Sequence, residues 1–431
     1  MRKSSRILSL VILLTIACSL FAPAALASDK VIELRTAWQS GGARAEMLEE
    51  LVREFEQMHP NVRFIIETSE TGKYQPKIAM DVAADNTPDV FTYWRPEPAY
   101  GVDKYLEKGA LADLTELFDD PQFKDVYPDF AMNTCTVDGK IVALPAEYAF
   151  IMIFANQDIL DACGLEPPVT YEDYLNCIEV AKENGYIPWA VSTKAFASGW
   201  ERPIGYAFNR FLSNKGENGT LNAFAGTAPF DSPEAIAAAN GLYELCANNA
   251  AVDAMTLDDT QVISKYFNTG RSLFFISGTY NYMTIAPEMR DKLVALKWPE
   301  MPGAEYNQPI QDKDLVAVWY CASKSWEDPE KKPILIEFLK FITGAEASDR
   351  LVYEANSLVP NADLELDVNR ISQAFIDAKE IADEGEQCKW PLSFAKPENK
   401  EPFYSVYTDF WSGKYTGEEF ALKLHDIFYG K

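Results

Sequence analysis

The side chains of this sequence that could do chemistry are mainly carboxylates and aromatic rings. There are 65 Asp and Glu residues, 21 Tyr and 9 Trp, but two histidines, His59 and His425. Neither histidine has a partner at metal-binding spacing, and a catalytic triad would have no other histidine to use. A glycoside hydrolase needs two carboxylates close together, and an aromatic cleft can hold its sugar substrate. With so many acidic residues some pair is always available, so this signal alone has little specificity.

The sequence contains no motif for the other kinds of chemistry that we considered, nucleotide binding and cysteine-based metal or redox sites. The sequence lacks GxxxxGK(S/T) and a strand-GxGxxG-helix unit, which argues against nucleotide binding. The cysteines beyond the N-terminal segment show no CxxC spacing, and we predict no pairing among them: Cys135, Cys163, Cys177, Cys246, Cys321 and Cys388. We therefore expect no metal and no cofactor.

The charge balance excludes several partners. The formal net charge is −26, and an acidic surface of this kind repels nucleic acid and anionic membranes. Hydrophobic residues make up 48% of the chain, so the acidity belongs to a folded protein rather than to a disordered one. The length suggests two or more domains. Repeats and low-complexity segments, which would favour an adhesin or structural module, are not visible.

The N-terminus has the order of a secretory signal peptide. A basic start precedes the uncharged run 7–27, which ends in Ala25-Leu26-Ala27. This predicts a signal peptide over residues 1–27, cleavage before Ser28 and export. An uncleaved membrane anchor is the alternative, but the small-residue end favours cleavage. Lipid attachment at Cys18 is a further, less favoured alternative.

The mature chain is predicted to open with a strand, a loop, a helix and a second strand. The strand is 31–38, the helix 43–59 shows apolar residues at helical spacing, and the second strand is 62–68. This order predicts a βαβ unit with parallel strands. Ligands of open α/β sheets bind at the carboxyl ends of strands. Trp38, Gln39 and Ser40, at the end of the first strand, are therefore candidate ligand contacts.

The pattern repeats in the next segment. A predicted helix over 74–84 leads through Asn86-Thr87-Pro88-Asp89 into a strand over 90–94. Tyr93, Trp94 and Arg95 then lie at the carboxyl end of that strand, where an aromatic can stack on a ring and an Arg can donate hydrogen bonds. Packing in the core is the alternative role for each aromatic.

The segment from Asp138 to Asp158 is predicted to connect two domains. Two apolar runs, 141–144 and 150–154, lie on either side of Pro145, which cannot occupy a central sheet position, so we expect two strands and a change of sheet. A helix is expected to start at Asp158 as its N-cap. Glu147 and Tyr148 follow the proline and are expected to face the cleft.

Later segments add further aromatics. Trp200 lies among small residues after the predicted strand 189–192. Ser232-Pro233 predicts a helix start, and a further helix is expected over 259–267. Trp319 lies in the predicted strand 314–322, either near the cleft or, more commonly for a strand aromatic, in the core.

These segments, taken in order, resemble family 1 extracellular solute-binding proteins, the sugar-binding receptors of ABC importers. The resemblance lies in DGKIVALP followed by ANQDIL, in FEQMHPNVRF, in FNTGRSLFFISGTY, in EFLKFIT and in SLVP, and it covers nearly the whole mature chain. Two positions differ from the usual family motif: Ala155 replaces a Tyr, and Gln157 replaces a Lys.

The resemblance implies an α/β, two-lobed periplasmic-binding-protein fold of type II with an interlobe cleft and hinge. The expected division is a first lobe over 28–145 with a return segment 315–345, and a second lobe over 146–314 with 346–431, whose C-terminal helices partly brace the hinge. It implies a monomer in the periplasm or at the cell surface. Its partners would be a carbohydrate and the transmembrane subunits of an ABC permease.

The implied function is capture of a carbohydrate, with an oligosaccharide favoured, and no enzymatic activity; a secreted glycoside hydrolase remains the alternative. Neither the sugar nor its length follows from the sequence, and a polyol or glycerol phosphodiester stays open. With Tyr280 as the principal stacking platform, the candidate ligand-binding residues are Trp38, Gln39, Ser40, Tyr93, Trp94, Arg95, Glu147, Tyr148, Trp200, Gly278, Tyr280, Asn281, Trp319, Ser357, Phe403 and Tyr404.

Overall fold

The computed structural model describes residues 30–97, 100–194, 202–213, 216–307, 310–361, 364–388 and 390–430. The predicted signal peptide and Trp200 lie outside these ranges. The strands are β1 Ile32–Gln39, β2 Val62–Ser69, β3 Val90–Tyr93, β4 Thr136–Val137, β5 Lys140–Ile141, β6 Leu144–Asn156, β7 Ile187–Ala190, β8 Ser272–Gly278, β9 Leu293–Ala295, β10 Ile310–Cys321 and β11 Glu386–Cys388.

Helices surround these strands. They are α1 Gly42–Met58, α2 Thr71–Ala83, α3 Val102–Glu107, α4 Asp129–Cys135, α5 Gln157–Cys163, α6 Tyr171–Glu183, α7 Arg202–Leu212, α8 Thr220–Ala225, α9 Pro233–Cys246, α10 Asp259–Val262, α11 Pro287–Arg290, α12 Ser323–Trp326, α13 Lys331–Ile342, α14 Ala345–Tyr353, α15 Gln373–Glu384, α16 Pro397–Trp411 and α17 Gly417–Phe428. A π-helical turn, Ile263–Phe267, continues α10, and 3-10 turns include Thr279–Thr284 and Pro391–Phe394.

The fold class is α/β. The main sheet has the strand order β2-β1-β3-β10-β6-β8-β7, with β11 beside β10 and β9 beside β6, while β4 and β5 form a separate ribbon. β1 pairs in parallel with β2 and with β3, whereas β10 pairs antiparallel with β3 and β6. The predicted βαβ unit is confirmed, because α1 connects β1 to its parallel neighbour β2.

Periodicity predicted the buried face of α1. Met47, Leu48, Leu51, Val52 and Phe55 recur at helical spacing and are all buried. The helix ends at Met58, one residue earlier than predicted. Its apolar stripe packs on the sheet, so the helix holds the loop after β1 at the sheet's carboxyl edge.

The predicted break at Pro145 is wrong. β6 is one strand of 13 residues that includes Pro145 as its second residue. The proline pairs with Val318, directly beside register shifts on β10 at Ala317, so it lies at an irregular position where a missing N–H does less harm. The sheet partner changes further along: Leu144 to Phe150 pair with β10, and Ile151 to Ala155 pair with β8.

The expected N-cap of the following helix is also corrected. Asn156, not Asp158, is the N-cap of α5, and its side-chain oxygen accepts a hydrogen bond from the backbone N–H of Asp158 at 3.0 Å. Asn and Asp serve this position equally well, so composition alone did not separate the two residues. The predicted N-cap at Ser232 is confirmed, and Thr170, which was not predicted as a cap, is the N-cap of α6.

The buried apolar side chains form three clusters. The N-terminal cluster gathers α1, β2 and α13 and includes Leu48, Phe55, Trp319 and Phe338. The C-terminal cluster gathers α6, α9, α16 and α17 and includes Trp189, Phe274, Phe403 and Phe420. The central cluster lies along β6 and β10 and includes Phe150, Phe154, Tyr320 and Phe375. Two cores built from different parts of the chain are therefore joined through a third.

Among the helices described, none is long and apolar enough to cross a membrane. No disulfide joins the cysteines that the structure describes, and all six lie within its ranges.

Candidate ligand-binding cavity

A cavity of about 640 Å³ opens at the carboxyl ends of β1 and β3. The bulged part of β10, the start of β6 and the segment 280–284 contribute to its wall, together with the start of α1 and residues 202, 355–356 and 390. This volume falls within the range of about 300–1,000 Å³ typical of small-molecule sites. Seven of the candidate residues line it, namely Gln39, Ser40, Tyr93, Trp94, Arg95, Glu147 and Tyr280.

Glu147 and Arg44 form an ion pair in the cavity wall. Arg44 Nε lies 2.7 Å from Glu147 Oε2. Glu147 is on β6 and is buried, and Arg44 is in the first turn of α1. Burial raises the pKa of Glu147 above its ordinary value, while the charge of Arg44 and a hydrogen bond from Ser357 oppose the increase. Ser357 itself is buried and hydrogen-bonds Glu147 without lining the cavity.

A second, more deeply buried charge cluster centres on Arg95. Its Nε lies 2.8 Å from a Glu97 oxygen and 3.1 Å from an Asp314 oxygen. Burial alone would lower the pKa of Arg95, but Tyr100 and Asp314 help to raise it above its ordinary value. A buried cation with two acidic neighbours is electrostatically satisfied without a charged ligand.

Aromatic rings supply the apolar part of the cavity. The rings of Trp94 and Tyr100 stack with centroids 5.5 Å apart and planes inclined by 6°. Tyr93 meets Trp94 edge to face at 4.9 Å. Elsewhere in the wall, the guanidinium of Arg202 lies 5.0 Å from the centre of the Trp390 ring. These faces could stack on an apolar face of a ligand ring.

Tyr280 is the most exposed large aromatic of the cavity, with 37% of its surface accessible. It follows the end of β8, and its ring lies directly over Gly278: a Cβ at Gly278 would be 2.2 Å from the ring. Gly278 therefore acts by leaving room for the ring, and it does not itself line the cavity. Asn281 donates a hydrogen bond to Ser277 Oγ at 2.9 Å and supports the same turn.

The remaining candidate residues lie in hydrophobic clusters rather than along the cavity. Trp38 and Trp319 are in the N-terminal cluster, because neighbouring strand residues point to opposite faces and Trp38 faces α1 where Gln39 faces the cavity. Tyr148 is in the central cluster, and Phe403 and Tyr404 are in the C-terminal cluster. Each of these five side chains packs against other apolar residues.

Several lining residues were not singled out as ligand contacts from sequence. They come from segments far apart in the chain and include Arg44, Tyr100, Arg202, Asp314, Val316, Asn356 and Trp390. Arg44 had a usable signal, because the first turn of a helix that follows a strand's carboxyl end faces the same edge. Trp390 and Asn356 had none, since only tertiary contacts bring them to the cavity.

The cavity combines ring faces with hydroxyl, amide, carboxylate and guanidinium groups. Such a set can bind a polar, uncharged molecule by stacking and hydrogen bonding. Within the described ranges, no group of three or more His, Cys, Asp or Glu residues could hold a metal ion.

Comparison with known proteins gives a family match. A family model described as bacterial extracellular solute-binding protein matches residues 50–373. An uncharacterized ABC transporter extracellular-binding protein of Pyrococcus horikoshii is 23% identical over 210 residues, which are 48% of this chain and 47% of the relative. The melibiose/raffinose/stachyose-binding protein MelE of Bacillus subtilis is 24% identical over 176 residues, 41% of this chain and 39% of MelE. The match thus spans less than half the length of either relative.

A solved structure shows that the overall fold is shared. A chitin oligosaccharide binding protein aligns with a TM-score of 0.75 at 17% identity, covering 92% of this chain and 98% of that chain. At this identity the likeness concerns the fold.

Proposed function

Because the chain belongs to the family of bacterial extracellular solute-binding proteins, we propose that it captures a carbohydrate and delivers it to an ABC import permease. The observation that supports this most is the composition of the cavity. It presents the exposed ring of Tyr280 and the stacked pair Trp94 and Tyr100 beside polar groups. We favour an oligosaccharide as the cargo, and a cavity of about 640 Å³ lies within the range of small-molecule sites, about 300–1,000 Å³.

A sugar has two kinds of surface that this wall can match. The C–H face of the ring stacks on an aromatic side chain, where it leaves water. The hydroxyl groups need hydrogen-bond partners when they are buried. Gln39, Ser40 and Glu147 lie along the cavity and offer amide, hydroxyl and carboxylate groups. Specificity would come from how these polar groups match the hydroxyls.

We propose that the bound sugar is released unchanged. A glycoside hydrolase needs one carboxyl group to protonate the glycosidic oxygen and another to attack or to activate water. The cavity carboxylates Glu147 and Asp314 are each already in contact with an arginine, Arg44 and Arg95 respectively. This arrangement favours fixed hydrogen-bond acceptors over proton transfer. The names of the relatives, which describe binding, agree with this proposal.

The proposal includes the setting in which the receptor works. The protein would be exported, as the predicted signal peptide and the extracellular family suggest. Sugar would be held between two lobes that close about a hinge formed by β6 and β10, and the permease would recognise the closed form. The receptor would act as a monomer, and its net charge of −26 would disfavour nucleic acid.

A thermal-shift screen tests the proposal. Residues 28–431 would be screened against melibiose, raffinose, chitin oligosaccharides, a polyol and a glycerol phosphodiester, and the mixtures checked for breakdown after overnight incubation. A ligand at 100 times its dissociation constant stabilises the native state by about 2.7 kcal/mol, so the melting temperature should rise.

Each outcome of the screen is informative. A rise with intact sugar supports the receptor and identifies its cargo. A rise in melting temperature together with cleavage of the sugar would show that the protein is a glycoside hydrolase and not a receptor. A rise only with the polyol or the phosphodiester would contradict the carbohydrate assignment, and so would no rise with any sugar.

A further inference from the structure

The guanidinium of Arg95 is bound by protein groups from distant parts of the chain. Arg95 follows β3 and is 4% exposed. Its Nη1 donates to the carbonyl of Leu315 at 3.0 Å, and its Nη2 donates to Ser393 Oγ at 3.0 Å. Two of the three guanidinium nitrogens thus donate hydrogen bonds, while the third, Nε, is in ion-pair contact with Glu97 and Asp314 without hydrogen-bond geometry. Arg95 is therefore better suited to holding the wall together than to holding a ligand.

The Leu315 bond lies at an irregular point of β10. Leu315 pairs with Tyr148 and Ala317 pairs with Glu147, and the register shifts between them, so Val316 has no direct partner. A bulge of this kind re-aims a side chain, and Val316 lines the cavity. The bond from Arg95 thus fixes the strand where it departs from regular pairing.

The bond from Arg95 to Ser393 fixes the segment that carries Trp390, an aromatic surface separate from the Trp94 and Tyr100 pair. Ser393 is buried in the 3-10 turn Pro391–Phe394, and this turn is anchored in the C-terminal cluster through Leu392. Trp390, the residue before the turn, lines the cavity. On the other side, the Arg95 guanidinium lies 5.5 Å from the centre of the Tyr100 ring, which stacks on Trp94. One side chain therefore connects both aromatic surfaces.

We propose that Arg95 is a positioning residue: through Ser393 and Leu315 it fixes where Trp390 and Val316 stand relative to the Trp94 and Tyr100 pair, and so sets which ligand sizes the cavity accepts. The inference rests on the proposed function and deepens it. Loosening the bond to Ser393 would let Trp390 shift, and ligands of different length would be affected to different extents. A merely structural bond would lower the affinity for all ligands alike.

The test uses Ser393→Ala, which removes one hydrogen bond and leaves Arg95 its acidic neighbours. The matched control is Ser192→Ala, because Ser192 is also buried, donates to the carbonyl of Leu257 at 2.6 Å and does not line the cavity. In ligand-free protein, amide hydrogen exchange over 390–395 should be about threefold faster in Ser393→Ala than in wild type. Ser192→Ala should not change it. Unchanged exchange in Ser393→Ala would contradict the connection.

Calorimetric titration then tests selectivity with melibiose and raffinose, which differ by one sugar unit. In wild type the ratio of the two dissociation constants is the reference. It should change by about threefold or more in Ser393→Ala and stay at the reference in Ser192→Ala. If the ratio of the two dissociation constants in Ser393→Ala equals that of wild type, the positioning role is wrong, although the proposed receptor function is not affected. Failure of wild type to bind either sugar or any other carbohydrate in the screen counts against the proposed function, and the inference falls with it.

Discussion

At the scale of single residues, Tyr280 and Gly278 form a unit. The ring of Tyr280 lies over the glycine, and a Cβ at Gly278 would lie 2.2 Å from one ring atom and 2.3 Å from another. The obstacle is a partly exposed side chain rather than backbone, so the ring can move away at little cost to folding. A substitution of Tyr280 therefore removes the stacking ring, whereas a substitution of Gly278 displaces it, so the two effects can be tested separately.

We predict that Tyr280→Ala weakens carbohydrate binding at least tenfold, about 1.4 kcal/mol, because a stacking face is lost. Gly278→Ala should weaken binding to a similar extent, because it displaces the same ring. Both variants should melt within a few degrees of wild type, because Tyr280 is partly exposed. Calorimetry and thermal melts measure the two effects. Wild-type affinity in either variant would remove Tyr280 from the site.

Glu147 gives a pH-dependent prediction. Burial raises its pKa, so the folded protein binds this proton more tightly than the unfolded chain does. The stabilising contribution is fully present below the ordinary pKa of about 4.3 and is lost as the pH rises through the raised value. We therefore expect the stability of wild type relative to Glu147→Gln to fall as the pH rises from about 4.3 through the raised pKa of Glu147.

Urea unfolding of the two proteins across this pH range measures the difference. The control is Glu418→Gln, which substitutes an exposed glutamate at the start of α17. A difference between wild type and Glu147→Gln that stays constant or grows with pH would contradict the assignment of the raised pKa.

At the scale of elements, helix ends fix how the outer helices meet the core. Thr416 caps α17: its Oγ1 accepts from the backbone N–H of Glu419 at 3.2 Å, and its own backbone N–H donates to Glu419 Oε2 at 2.9 Å. This capping box satisfies donors that would otherwise lack a partner. The helix then buries Phe420 and Leu424 in the C-terminal cluster.

We predict that Thr416→Ala lowers the free energy of unfolding by about 1 kcal/mol, because an N-cap oxygen is lost. Carbohydrate affinity should not change, since Thr416 does not line the cavity. Thr416→Ser keeps the oxygen and should stay within about 0.5 kcal/mol of wild type. Urea unfolding and calorimetry check both statements. Equal loss in the Ala and Ser variants would show that the methyl group, not the cap, is responsible.

At the scale of the whole molecule, the two outer clusters are joined through β6 and β10. β6 pairs with β10 in its first half and with β8 in its second half. The cavity lies beside this crossing, with Glu147 on β6 and Val316 on β10 both in its wall. Under the proposed hinge closure, a small change of twist in these strands would move the outer clusters relative to each other and change the width of the cavity.

We predict that a saturating carbohydrate reduces the radius of gyration measured by small-angle X-ray scattering, because the proposed closure about β6 and β10 would make the molecule more compact. At a sugar concentration near the wild-type dissociation constant, the radius of Tyr280→Ala should decrease less than that of wild type. An unchanged radius in saturated wild type would argue against closure, although not against binding.

The sequence alone determined the local elements and the edge of the sheet that matters. Apolar periodicity gave α1 and its buried face, and the order strand-helix-strand gave parallel β1 and β2. The carboxyl ends of β1 and β3 then located Gln39 and the Tyr93–Arg95 segment at the cavity. These predictions succeed because periodicity and chain order are local properties.

Only the tertiary structure decided which side chains face the cavity. Trp38 and Gln39 are neighbours on β1, yet one is in the core and the other in the cavity wall, because the sheet face that packs on α1 was not visible in the sequence. Pro145 stays inside a continuous β6 because a bulge on β10 lies opposite, and Arg95 meets Ser393 across 298 positions of the chain. Such contacts join residues far apart in sequence, so no local pattern records them.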